Sequence, residues 1–284
     1  MRGVRRMPEG LKELPTPFYL PQEQKERSRS LYERVFREDS RRFVDYYYTY
    51  KTRDNEILAV EEDRQIVSML HLNPYRMIVN GYEVESRYIV AVATDEHYRH
   101  RGYMRILLER ALKDLAARGM PFTFLMPASE SIYAPFDFAW ISSHTSLPER
   151  VLRMNTEEQN RWLAERYQLF CRRDERYMEN LRAQKEAEAV EAPAAQMPPY
   201  MARITDVCRM LHLIRSRKEQ RLYLRVRDPL IRGNDGYFLW ESAGEQARVE
   251  KLCQKPHILD MELTVGELVS FVFGGLRCCL SEEV

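Results

Sequence analysis

YIVAVATDEHYRHRGYMRILLERALKDLAARG, residues 88–119, is the stretch whose reading decides the fold. Its opening, YIVAVAT, is apolar almost throughout, which suits a central strand covered on both faces. From Tyr103 onward the period changes. Met104, Leu107, Leu108, Ala111, Leu112 and Leu115 fall on one face of a helix, and Gly119 stops it as a C-terminal cap would. Between strand and helix lies DEHYRHRG, residues 95–102, with two arginines and two histidines crowded around a single glycine.

Working outward, residues 22–38 and 40–49 read as amphipathic helices, the second opened by a Ser40 cap. Residues 56–63 and 65–79 read as strands joined by a tight turn at Glu62, Asp63 and Arg64, and 81–95 adds the long strand. After the helix, 122–128 is a buried strand, and 131–143 is a helical turn followed by a strand. The region 156–188 is highly charged and mostly helical, and AVEAPAAQMPP, 189–199, has the composition of a linker. A smaller unit begins at Tyr200. It contains alternating strand residues Leu222, Leu224 and Val226, a hairpin turn at Asn234, Asp235 and Gly236, and a terminal helix opened by a Thr264–Glu267 capping box. The fold class expected is α/β (α+β), with a mixed central sheet and a smaller α+β unit.

Composition excludes some partners. Of 284 residues, 44 are Lys or Arg and 43 are Asp or Glu, a balance that argues against nucleic-acid binding. No apolar run approaches the roughly 20 residues that span a bilayer, and the basic start lacks the apolar core of a signal peptide. Five cysteines, none in a C-x-x-C pair, fit a reducing cytoplasm. The histidines share no spacing, so no metal site is expected.

A strand, a Gly corner and a helix form a phosphate-binding device. The first helix amides lack intrahelical acceptors, the helix dipole favours an anion there, and a glycine keeps side-chain atoms out of the way. Arg99-His100-Arg101-Gly102-Tyr103-Met104 resembles the Arg-x-x-Gly-x-small loop of the GNAT acyltransferases, with Met where that family often has Gly or Ala. The element order around it is that family's also. One branch is closer still. VATDEHYRHRGYMRILL, ASESIYAPFDF, PYMARITDV and the ending CCLSEEV resemble the enhanced intracellular survival (Eis) type of acetyltransferase, over residues of about 15–150 and 198–284.

That resemblance implies a GNAT domain over residues 1–150, a helical connector and linker over 151–199, and a sterol-carrier-like domain over 200–284. Relatives carry a second, degenerate GNAT domain in the middle; here YQLFCRRDERYMENL, 167–181, looks like its remnant. The implied activity is N-acetyl transfer from acetyl-CoA (coenzyme A) to a small-molecule or lysine amine in a ternary complex. Tyr133 would be the general acid and the carboxylate of Val284 the general base, with Glu282 and Glu283 as fallback bases. The backbone at Val92, Ala93 and Thr94 would pair with pantetheine. Arg99, His100, Arg101, Gly102, Tyr103, Met104 and Arg105 would hold the pyrophosphate, and Ser129 and Glu130 would meet the cofactor near Tyr133. The family also implies assembly of several copies. A silent acyl-CoA- or lipid-binding regulator on the same fold is the competing reading.

Overall fold

The computed structural model describes residues 14–188, 197–216, 218–244 and 246–283. The chain opens with β1 (Phe18–Tyr19), a 3-10 turn, α1 (Arg29–Val35) and α2 (Arg41–Tyr50), the last capped by the Ser40 hydroxyl on the Phe43 amide. An antiparallel meander follows: β2 (Glu56–Glu62), β3 (Gln65–Val79) and β4 (Tyr82–Thr94). The β2–β3 turn places Asp63 and Arg64 at positive φ, where the sequence puts its tight turn. Then come α3 (Tyr103–Ala117), β5 (Phe122–Leu125), the short α4 (Glu130–Tyr133) and β6 (Ala139–Ser142). The apolar stripe of α3 is fully sequestered, with Leu107, Leu108, Ala111, Leu112 and Leu115 all inaccessible against β2, β3 and β4.

The charged region holds α5 (Glu149–Leu152), α6 (Thr156–Ala164), β7 (Leu169–Cys171) and α7 (Glu175–Glu188). The strand is a departure from the expectation of helix. Leu169, Phe170 and Cys171 form an apolar triplet, and pairing with Val79, Ile78 and Met77 of β3 buries them. Most of the expected linker, residues 189–196, lies outside the described residues, as does Val284.

Tyr200, read from the sequence as the start of a separate small unit, opens β8 (Tyr200–Ile204), and β8 lies inside the large sheet between β5 and β6. Among the described residues that sheet has nine strands, in the order β1-β2-β3-β4-β5-β8-β6, with β7 on the far end of β3 and β13 (Cys278–Cys279) on β7. Beyond β8 come α8 (Val207–His212) and a four-stranded sheet of β9 (Gln220–Arg227), β10 (Gly236–Ala243), β11 (Gln246–Leu252) and β12 (Met261–Thr264), ordered β11-β10-β9-β12. Helix α9 (Val265–Phe273) carries both hydrogen bonds of the Thr264–Glu267 capping box. Its Val265, Leu268, Val269 and Phe273 pack with Phe122, Phe124 and Tyr200 of the large sheet and with Leu224, Phe238 and Trp240 of the small one. One apolar core therefore runs through both sheets.

A fully buried ion pair stitches the sheets together. Arg203 of β8 bonds Asp228 Oδ1 from Nη2 at 2.8 Å, donates from Nε to the Phe136 carbonyl at 2.8 Å, and reaches the Ile204 carbonyl from Nη1. Asp228 in turn accepts from the amides of Leu230 and Ile231 and from Asn234. Removing one partner of such a pair strands a charge in the core. Arg203→Met is expected to lower stability by about 3–5 kcal/mol, read as a shift of the denaturant midpoint with unchanged slope.

Candidate active site

Strands β4 and β5 run parallel but pair at one position only, Tyr88 with Phe124. Past that point they diverge, because the β3–β4 register slips between Met69 and His71 and Ala91 takes φ 50. A bulge of this kind bends its strand and increases local twist. The consequence is a wedge whose apex is Tyr88 and whose open end leads to the Arg99–Gly102 loop.

Along the wedge, the carbonyls of Ala93 and Thr94 already have partners, in the Ser68 hydroxyl at 2.9 Å and Arg99 Nε at 3.3 Å. Val92 lies just past the bulge, half-buried. The loop is shaped by two left-handed residues, His100 at φ 61 and Gly102 at φ 88. Gly102 is the N-cap of α3, and a Cβ there would meet nothing closer than a Leu14 methyl at 3.5 Å. The glycine is thus required by its backbone conformation rather than by crowding. Arg101 is drawn into the loop itself, donating to the His97 carbonyl at 2.7 Å and lying over the Tyr98 ring. Arg99, His100, Arg101 and Arg105 are exposed, and Met104 is half-buried. Tyr103 points inward, its hydroxyl donating to Glu62 at 2.9 Å.

Tyr133 ends α4 and packs its ring edge-on to Phe138, in the same cluster as Leu107, Leu125 and Met201. Burial pushes its phenol up to about 12, so it keeps its proton through the physiological range. Ser129 caps α4 and, with Glu130, is exposed; its hydroxyl meets that of Ser131 at 2.9 Å. Arg105 lies over the Phe136 ring and so joins the loop to the Tyr133 turn.

The end of the chain comes to the same apex. His144 and Leu280 form a bridge, and the Leu280 carbonyl accepts from the Thr145 amide at 2.7 Å. Tyr200 donates to the Glu282 carbonyl at 2.6 Å, and Tyr88 donates to the Glu283 carbonyl at 3.3 Å. Burial raises the Tyr88 pKa far above that of a free phenol, and the proximity of Glu282, Glu283 and Tyr133 raises it further. The apex of the wedge and the Glu283 backbone therefore meet at one tyrosine, Tyr88.

Glu282 and Glu283 are two alternative bases of very different standing. Glu282 is 3% exposed, and its Oε1 accepts from Arg173 Nη1 at 2.8 Å and Tyr177 at 2.9 Å. Burial alone would raise its pKa. The Arg173 charge and hydrogen bonds from Arg173, Ser281 and Tyr177 outweigh that, holding it below the usual carboxylate range. A carboxylate so stabilised is a poor proton acceptor, which corrects its reading as a fallback base. Glu283 is half-exposed, with His144 Nε2 at 3.5 Å and Gln184 at 3.4 Å.

Beside these residues is a cavity of about 300 Å³, bounded by Lys51, Tyr75, Arg172, Tyr177, Glu282 and Glu283. It opens where β3, between its pairings with β2 and β7, has neither neighbour at residues 73–76. Lys51 donates to the Tyr75 hydroxyl at 3.0 Å, and burial pulls its pKa down to about 8 against the opposing pull of Glu282 and Asp54. Sequence reasoning missed Tyr88, Arg173, Tyr177, Lys51 and Tyr200, since no local pattern distinguishes them from other surface or core residues. Among the described residues no His/Cys/Asp/Glu group is arranged to hold a metal, and no helix is long and apolar enough to cross a membrane.

Residues 19–141 match the family model described as an acetyltransferase (GNAT) domain. The likeness to solved structures extends over the chain. A probable N-acyltransferase from Enterococcus faecalis is 13% identical, with 89% of this chain and 88% of that one covered, at a TM-score of 0.64. A GCN5-related N-acetyltransferase from Anabaena variabilis is 14% identical over 90% of each chain, also at 0.64. Eis1 from Mycobacterium abscessus is 14% identical over 91% of this chain and 90% of its own, at 0.65. At these identities the likeness is one of fold. No curated protein matches the sequence. The chain thus has a mixed α/β structure with the GNAT fold.

The Glu282 environment has a pH consequence. A carboxylate whose folded pKa is depressed contributes stability that is fully present above its unfolded value near pH 4.3, and loses it as pH falls through the folded value. Glu282→Gln is therefore expected to flatten the acid limb of the stability–pH curve. Thermal melts from pH 7 down to pH 3 measure this, and an acid limb unchanged by the substitution would contradict it.

Proposed function

We propose that this protein is an acetyl-CoA-dependent N-acetyltransferase of the Eis type, acting by direct attack of an amine on the thioester. The observation that carries the reading is the opening of the β4–β5 wedge at Tyr88, whose hydroxyl also holds the Glu283 carbonyl. The GNAT match over 19–141 supports it independently. When bound, acetyl-CoA supplies the activated acetyl group.

Each group has a task in this chemistry. The backbone at Val92 pairs with pantetheine as a strand would, in the gap that β5 leaves, with Ala93 and Thr94 shaping the edge. The amides of Gly102, Tyr103 and Met104 face the pyrophosphate at the positive end of α3, and Arg99, His100, Arg101 and Arg105 rim it. Ser129 and Glu130 lie at the mouth on the Tyr133 side. The acceptor amine enters from the 300 Å³ cavity, which suits a small molecule or a single lysine side chain. Attack by a neutral amine leaves a proton on nitrogen, which passes to the Val284 carboxylate, directly or through water. Collapse of the tetrahedral intermediate breaks the C–S bond, and Tyr133 protonates the departing thiolate. The segment 200–284 serves as a sterol-carrier-like scaffold that returns the tail to the site.

Thiol release from acetyl-CoA, followed with spermidine, tyramine, glucosamine and Nα-acetyl-lysine, tests the reading. Tyr133→Phe is expected to lower kcat by roughly a hundredfold or more while acetyl-CoA affinity by calorimetry stays within about twofold. Two glycines added after Val284 should act likewise. Full activity in both variants would refute the assigned roles. Cofactor binding without thiol release for any amine would favour a silent acyl-CoA binder.

A further inference from the structure

The residues that seat the chain end deserve a role of their own. Arg173 is held on every side. Its amide donates to Asn160 Oδ1 at 2.8 Å, its carbonyl accepts from Asn160 Nδ2 at 2.7 Å, and its guanidinium lies over the Tyr177 ring at 4.1 Å. From that fixed position Nη1 meets Glu282 Oε1 at 2.8 Å and Nη2 meets the Ser281 hydroxyl at 2.9 Å. The side chains are 2% and 1% exposed. Tyr177 adds a second donor to Glu282, and Tyr200 holds the Glu282 carbonyl from the opposite side.

Stability alone is a poor explanation for burying charges here. Well-packed apolar residues of similar volume commonly stabilise as well as a buried ion pair or better. What such a pair does well is fix register. An extended segment advances about 3.4 Å per residue. A slip that brought Ser281 into the place of Glu282 would leave the buried guanidinium without a carboxylate, and one that brought Glu283 there would break the Ser281 contact to Nη2 and the Tyr200 contact to the Glu282 carbonyl.

We infer that Arg173, with Tyr177 and Tyr200, is a clamp that sets the depth to which the chain's last residues enter the wedge. These are positioning residues: they touch Glu282 and Ser281, not the reacting atoms. Arg173 of the clamp comes from the β7–α7 junction, between Cys171 and Glu175. What the clamp delivers rests on the proposed base role of Val284; the clamp itself does not.

The test uses the full-length chain and its Tyr177→Phe and Glu282→Gln variants. Tyr177→Phe removes one hydroxyl and keeps the ring under Arg173, so it remains informative if Glu282→Gln folds poorly. Digestion with carboxypeptidase Y, followed by mass spectrometry, should release the residues after Leu280 roughly 10- to 100-fold faster in the variants, the loss expected for one hydrogen bond to a charged group. In parallel, with the fastest amine of the panel, kcat should fall by a similar factor while KM for acetyl-CoA stays within about twofold. Equal trimming rates in the wild type and both variants would overturn the clamp, whatever kcat does. Faster trimming with unchanged kcat would uphold the clamp and overturn the carboxylate base instead.

Discussion

The divergence of β4 from β5 after Tyr88 is the constraint on which the rest of this structure depends. Two parallel strands that stayed paired would close the sheet and leave no room for a ligand between them. The bulge at Ala91 ends the pairing at a single residue pair and opens backbone inside the protein core. Buried backbone groups need partners. The left-handed loop capping α3 stands at the open end of the gap.

On its other edge β5 is supported by β8, which arrives from much later in the chain. This makes the carboxy-terminal third part of the large sheet rather than an appendage. Arg203 shows the economy of the arrangement: one buried guanidinium fixes the carbonyl of Phe136, three residues after Tyr133, and also binds Asp228 near the small sheet. The turn that carries Tyr133 and the segment Ser281–Glu282 are each held by a buried arginine. Apolar contacts hold elements together while tolerating small slides, whereas a desolvated ion pair penalises any change of register.

Legibility in the sequence follows physical range. The α3 stripe, the Ser40 cap, the Thr264–Glu267 box and the turn at Asp63 and Arg64 depend on residues within four positions of one another, and all were readable. The strand Leu169–Cys171 was not, since a three-residue apolar run in charged surroundings has no period of its own and extends only because β3 offers a free edge. The burial of Glu282, read from the sequence as a fallback base, escapes the sequence for the same kind of reason. Nothing within its neighbourhood announces a buried arginine 109 residues away.

By itself, then, the sequence determined the meander, the Gly corner, the amphipathic helix behind it and the tyrosine in SIYAPFDF, because each is written in local spacing and residue chemistry. Only the tertiary structure decided that β4 and β5 part at Tyr88, that β8 enters the large sheet, and that the chain end returns to the wedge under Arg173. Those outcomes depend on contacts between residues far apart in the chain, where burial and charge pairing select one arrangement and no local pattern records the choice.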